Sequence, residues 1–217
     1  MENINQYIEH TLLKQDATKS ELIQLFKEAK ENNFLGVCIN PCYVKFAKEN
    51  LKDSNVKIVT VIGFPLGANT TETKIFETIN AIRDGADEID MVINVTKLKD
   101  GEYNYVSDEI RKIKGACAEH NLKVIIETDL LTEQEIIKAC ELSIKGGADF
   151  VKTSTGFVKN GVGAKSQDVK IMHDTVKDAG LKVKASGGIR DRQKAIEMIN
   201  SGATRLGTSS GVKIVQE

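Results

Sequence analysis

The sequence predicts an α/β protein, a (β/α)8 barrel with a short or missing final helix, and three observations predict it. Short runs rich in valine and isoleucine alternate with longer amphipathic stretches along all 217 residues. The amphipathic stretches repeatedly end in a glycine-containing turn that feeds the next apolar run, as in Asp84-Gly-Ala-Asp87, Lys145-Gly-Gly-Ala-Asp149, Asp178-Ala-Gly-Leu181 and Ser201-Gly-Ala-Thr204. Eight apolar runs suit a closed barrel better than a doubly wound open sheet, and no Gly-x-Gly-x-x-Gly fingerprint follows the first.

In chain order, residues 10–13 supply the first strand and residues 20–33 the first amphipathic stretch. Strands are expected at 36–40 and 57–63, the second followed by a helix over 70–84 in which Ile75, Ile79 and Ile82 share one face. A strand at 88–94 precedes a helix over 103–120, where Ile110, Ile113 and Cys117 line up in the same way. The strand at 123–128 is followed by Thr132-Glu-Gln-Glu135, a capping box that opens a helix over 133–145. Strands at 150–155 and 182–187 are separated by a helix over 167–179, and a helix over 193–201 leads to the last strand at 205–210. Each run is too short for a typical helix, and several are bounded by Gly, Pro or Asn. Only residues 211–217 remain for the final helix, which is therefore expected to be thin or missing.

A hydrophobic content of 41% supports one sizeable core, and the absence of a linker or low-complexity segment points to a single domain over 1–217. Net charge is −1 with no basic block, which argues against a nucleic-acid partner. No basic region leads into an apolar run at the N-terminus, and no stretch nears the roughly 20 apolar residues of a membrane helix. The expectation is a soluble, cytoplasmic protein. Cys38, Cys42, Cys117 and Cys140 lack zinc-site spacing, and His10, His120 and His173 have no ligand-spaced neighbour, so neither a metal nor a cofactor is expected.

Three strands carry charge where a buried strand should be apolar: Lys152, Lys184 and Asp90. Side chains alternate faces along a strand, so Ile89, Met91 and Ile93 turn toward the helices and Asp90 turns into the barrel. By the same alternation Lys152 opposes Val151, and Lys184 opposes Val183 and Ala185. The two lysine strands are neighbours in a simple barrel, which brings Lys152, Lys184 and Asp90 together inside it. Neighbouring lysines disfavour each other's protonation, and a free amine in a pocket is what Schiff-base chemistry requires. A buried ion pair without catalysis is the competing reading, although one carboxylate cannot neutralise two lysines. Glu88, nearer the start of its strand, is expected to be structural.

Gly156, Gly187-Gly188 and Gly207-Thr-Ser-Ser210 follow the last three strands, where backbone N–H groups can approach a phosphate. In combination, Lys152-Thr-Ser-Thr-Gly156, Lys184-Ala-Ser-Gly-Gly-Ile-Arg190, Glu88-Ile-Asp-Met-Val-Ile-Asn94, Gly36-Val-Cys-Ile-Asn-Pro41 and Val61-Ile-Gly-Phe-Pro-Leu-Gly67 resemble the deoxyribose-phosphate aldolase family. The resemblance runs from about His10 to Ser210. It implies a class I aldolase on a TIM barrel, cleaving 2-deoxy-D-ribose 5-phosphate to glyceraldehyde 3-phosphate and acetaldehyde in deoxyribonucleoside catabolism. Lys152 then forms the Schiff base, Lys184 lowers the pKa of Lys152, and Asp90 relays protons. Gly156, Phe157, Gly187, Gly188, Ser209 and Ser210 bind the phosphate, while Cys38 and Thr153 belong to the pocket.

The implied partners are the phosphosugar and acetaldehyde, with a homo-oligomer expected and a dimer favoured. Phe157 stands where some relatives carry a lysine that helps hold the substrate. The chain reaches Glu217 without the tyrosine-ended tail that members often carry, so Asp90, Lys184 and a water are expected to serve proton transfer. Two other functions stay open: a phosphate-binding isomerase or synthase using acid–base chemistry alone, and a phosphosugar-binding barrel without turnover. Imine trapping with borohydride separates the first from an aldolase, and an aldolase assay separates the second.

Overall fold

A computed structural model describes residues 3–217. Eight parallel strands close into a barrel in simple sequential order, with β8 returning to pair with β1. They are β1 (Ile8–Leu12), β2 (Gly36–Ile39), β3 (Lys57–Ile62), β4 (Glu88–Val92), β5 (Asn121–Ile125), β6 (Phe150–Lys152), β7 (Lys182–Ser186) and β8 (Ala203–Thr208). The expected strands are all present, most of them shorter at the C-terminal end because the chain there turns away into the loops. The first begins earlier than expected, at Ile8.

The helices around the barrel are α1 (Lys19–Glu31), α2 (Val44–Leu51), α3 (Thr71–Asp84), α4 (Val95–Lys99), α5 (Tyr103–Cys117), α6 (Glu133–Lys145), α7 (Ser166–Val176), α8 (Arg192–Asn200) and α9 (Gly211–Gln216). Helices α2 and α4 were not among those expected; both are short, and α2 buries Val44, Ala47 and Leu51. The last helix described is short. Capping boxes open two helices: Thr18 with Glu21 on α1, and Thr132 with Glu135 on α6. In each the threonine hydroxyl accepts an N–H of the first turn and the glutamate accepts the cap residue's N–H, satisfying donors the helix leaves unpaired.

The apolar core lies between strands and helices, where Ile89, Met91, Ile93, Val151, Val183 and Ala185 pack with Ile110, Ile113, Cys117, Val169 and Met172. Burying each large aliphatic side chain there contributes about 1.5–3 kcal/mol. The aliphatic positions of β4, β6 and β7 therefore take the outer face, and alternation turns their polar neighbours inward. Inside the barrel, Glu9, Glu88, Asp90, Lys123, Lys152 and Lys184 are all buried.

Candidate active site

Strand register brings the charged residues together. Lys152 on β6 lies opposite Lys184 on β7, and Asp90 on β4 lies opposite Lys123 on β5. Asp90 Oδ2 accepts hydrogen bonds from Lys152 Nζ at 2.7 Å and from Lys184 Nζ at 2.6 Å, so the two lysines share one oxygen. Asp90 Oδ1 accepts from Lys123 Nζ at 3.1 Å. Glu9 on β1 accepts a hydrogen bond from Lys184 on the far side of Asp90. Glu88 lies one layer deeper, with Lys123 at 2.5 Å and Lys57 at 2.8 Å. The Lys184 side chain has room because Gly207, paired with Ser186 across β7 and β8, carries no side chain: a Cβ there would come within 3.1 Å of Lys184 Cε and 3.0 Å of Ser186 Cβ.

Burial opposes the charged form of Asp90, but the ammoniums of Lys123, Lys152 and Lys184 outweigh it and hold the carboxyl well below its usual range. Burial likewise pulls Lys184 toward the neutral amine, and the Asp90 and Glu9 carboxylates overcome it and raise its pKa. Lys123 is raised against burial by Asp90 and Glu9 as well. Glu88 falls to about 2, burial being outweighed by Lys123 and Lys57. These directions describe a cluster in which shared charge exceeds the cost of dehydration.

A cavity of about 710 Å³ opens at the C-terminal end of the strands, the face where barrel sites are built. Lys152 lines it, together with Ser154, Gly156, Phe157, Ser186, Gly187, Gly188 and Ser209. Lys14 and Arg190 also line it and were not anticipated as its cations. The Phe157 ring meets Phe64 edge-on, with centroids 5.2 Å apart. The loop that carries Gly156 is pinned by Glu127, which accepts the Thr155 N–H at 3.1 Å and the Thr155 hydroxyl.

Three expected positions do not line this cavity. Thr153 is fully buried behind the cavity wall, where its hydroxyl donates to the Ser186 carbonyl and accepts the Ser186 N–H, both at 2.9 Å, tying β6 to β7. Cys38 is fully buried too, packed with Leu13, Val59 and Val61, and burial pushes its thiol up. Ser210 turns away from the cavity into a neighbouring concavity with His10, Glu28 and Lys213, and its N–H is engaged by the Thr208 hydroxyl at 2.9 Å. Each sits in an expected motif, and Cys38 faces the barrel interior beside Asp90, but none of the three lines the cavity.

Glu9 and Lys123 were missed. Their signal was present, since Lys123 lies between Leu122 and Val124 as Asp90 lies between Ile89 and Met91, and Glu9 follows Ile8. Glu9, Cys38 and Asp90 hold donor atoms within 4.8 Å of one another, a grouping that could in principle take a metal ion. Both carboxylates are instead engaged by lysine ammoniums. The group is better suited to chemistry at an amine. A lysine at the floor of an open cavity, hydrogen-bonded to a carboxylate and beside a second ammonium, is equipped to add to a carbonyl.

The profile described as DeoC/LacD family aldolase matches residues 4–217. The chain belongs to this family. A Clostridium botulinum relative named deoxyribose-phosphate aldolase is 56% identical over 214 residues, covering 98% of this chain and 99% of the relative. The crystal structure of a putative deoxyribose-phosphate aldolase from Coccidioides immitis superposes with a TM-score of 0.96 at 44% identity, covering 99% of this chain and 85% of that one. The enzyme of that name from Aeropyrum pernix, described as a unique tetramer, aligns at a TM-score of 0.88 and 32% identity, covering 99% of this chain and 90% of that one. A DeoC/LacD barrel accounts for the fold at once, and the open end of this one carries the lysine-lined cavity.

Proposed function

We propose that this DeoC/LacD family member is a class I aldolase that reversibly cleaves 2-deoxy-D-ribose 5-phosphate to D-glyceraldehyde 3-phosphate and acetaldehyde, in deoxyribonucleoside catabolism. One observation carries the reading: of the three lysines around Asp90, Lys152 is the one that lines the cavity. The names of the close relatives support the choice of substrate.

In the proposed reaction the Lys152 amine adds to C1 of the open-chain aldehyde, and the carbinolamine loses water to give an iminium. A base takes the proton of the C3 hydroxyl. The C2–C3 bond breaks, its electrons flow into the iminium, and glyceraldehyde 3-phosphate leaves with the enamine still on Lys152. Protonation at C2 and addition of water then release acetaldehyde and restore the amine. Asp90 and Lys184 move these protons, directly or through one water. Lys184, sharing an oxygen of Asp90 with Lys152, is the group its carboxylate neighbours hold as a cation.

The phosphate lies in this reading on backbone N–H groups around Gly156, Gly187-Gly188 and Ser209, with Arg190 and Lys14 as nearby cations, while the Phe157 N–H is engaged by the Thr155 hydroxyl at 3.1 Å. Substitution of Gly188 is a poor probe, because its φ is +71° and a Cβ would meet the Val162 carbonyl oxygen at 2.4 Å. Arg190→Ala is better and is expected to raise KM for the phosphosugar while sparing capture of acetaldehyde. Cytoplasmic location and a dimer complete the proposal; fractionation and light scattering test them.

The decisive experiment is treatment with acetaldehyde and borohydride, followed by peptide mapping. One ethyl group on Lys152 is expected. Labelling confined to another lysine, or none in a folded protein that turns over substrate, removes Lys152 from the role.

A further inference from the structure

The barrel interior holds more charge than the aldol chemistry uses. Glu9 and Lys123 are fully buried, and neither lines the cavity. Burying ions is costly unless their surroundings use them. Their neighbours suggest the use. Lys123 has three carboxylates within 4 Å: Glu88 at 2.5 Å, Asp90 at 3.1 Å and Glu9 at 3.5 Å. Lys184 has two, Glu9 and Asp90, the latter at 2.6 Å. Lys152 has one, Asp90 at 2.7 Å, and it shares that oxygen with Lys184.

Each carboxylate beside an ammonium stabilises its proton, and each neighbouring ammonium destabilises it. The column as a whole has more cations than carboxylates. Lys57, Lys123, Lys152, Lys184 and Arg205 stand against Glu9, Glu88 and Asp90. Loss of one proton reduces that excess without removing it, and counter-charge is scarcest at Lys152. Around Lys184 the facing groups are Glu9 of β1, Cys38 of β2, Asp90 of β4, Lys123 of β5, Lys152 of β6 and Arg205 of β8. Burial favours the protonated thiol of Cys38. Glu9 is thus the carboxylate that Lys184 has and Lys152 lacks.

We infer that Glu9 and Lys123 are positioning residues that select the nucleophile: Glu9 keeps Lys184 an ammonium, Lys123 keeps Asp90 a carboxylate, and Lys152 is left as the amine free to attack. The inference rests on the Schiff-base reading above, whose own test is labelling of the unsubstituted protein at Lys152. Failure of that labelling removes the nucleophile and the inference with it. With Lys152 labelled, the pH dependence of turnover tests Glu9 by itself.

The test is the pH profile of kcat/KM for 2-deoxyribose 5-phosphate in Glu9→Gln and Glu9→Asp, with circular dichroism confirming the fold. Without the Glu9 charge, Lys184 relies on the oxygen it shares with Lys152 and releases its proton at lower pH. The alkaline limb should move down by about one pH unit or more, with KM changed less than about twofold. Glu9→Asp keeps the charge and should return the limb toward its original place. A folded Glu9→Gln protein with lowered activity and an unmoved limb would make Glu9 a packing residue and overturn the inference. Should Glu9→Gln fail to fold, NMR titration of isotope-labelled lysines in the unsubstituted protein decides the question. Lys152 losing its proton first supports the inference; Lys123 or Lys184 losing it first overturns it.

Discussion

Between α3 and α5, Lys74 meets Glu109 at 2.9 Å and donates to the Val92 carbonyl at 2.9 Å, with both side chains fully buried. Inside the barrel, Lys123, Lys152 and Lys184 crowd around Asp90, all of them buried. The two regions respond to burial in opposite ways. Burial pulls Lys74 down and pushes Glu109 up, each toward its neutral form, because their attraction and the hydrogen bonds around them do not offset dehydration. In the barrel several opposite charges act on each group, and Asp90 stays depressed while Lys123 and Lys184 stay raised. The outer pair ties α3 to the end of β4 and α5. The inner cluster holds charge beside a cavity. Sharing of partners and access to the cavity separate a structural buried lysine from a reactive one.

The comparison can be broken first at the nucleophile. Lys152→Leu is expected to lower kcat by about a thousandfold or more, because the covalent route disappears. Steady-state assay checks this, and a melting temperature near that of the unsubstituted protein separates chemistry from folding. Asp90→Asn comes next, with kcat reduced by about 10²–10⁴-fold as the proton relay is lost. Its stability should also fall, since the amide leaves three buried lysines short of a carboxylate.

The outer pair should show the reverse pattern. Lys74→Met is expected to cost about 3–5 kcal/mol, since it strands a buried carboxylate, while kcat stays within about twofold. The double variant Lys74→Met/Glu109→Leu should recover most of that stability. Urea unfolding with activity assays on both proteins measures the split; loss of kcat in Lys74→Met would mean that the outer pair positions the site.

Acid sharpens the contrast. The folded pKa of Glu88 lies at about 2, below its ordinary value of 4.5. Its contribution to stability is therefore fully present above about pH 4.5 and is lost as pH falls toward 2. Glu109 is raised instead, so protonating it as pH falls relieves a burial penalty. Glu88→Gln should flatten the acid limb of the stability curve, measured by denaturant unfolding across pH. Glu109→Gln should leave that limb in place. The smallest effect belongs to neither region: Thr132→Ala removes the α6 cap and should cost about 1 kcal/mol without changing kcat.

Much of this site was legible in the sequence because strand alternation is a local rule. Ile89 and Met91 around Asp90, and Val183 and Ala185 around Lys184, fixed which side of the sheet each charge faces before any contact was known. The eight apolar runs and their glycine turns likewise led to the barrel, whose closure places β6 beside β7. Lys74 was hidden by the opposite circumstance: a lysine on an amphipathic helix reads as solvated, and only packing of α5 against α3 buries it.

By itself the sequence determined the alternation of elements and the inward direction of Lys152, Lys184 and Asp90. The tertiary structure decided that Glu9 closes on Lys184 across 175 positions of chain, that Lys123 joins Asp90, and that Thr153, Cys38 and Ser210 leave the cavity surface. The physical reason is range. Alternation and capping depend on residues a few positions apart, whereas the charge each lysine feels depends on which strands meet when the barrel closes.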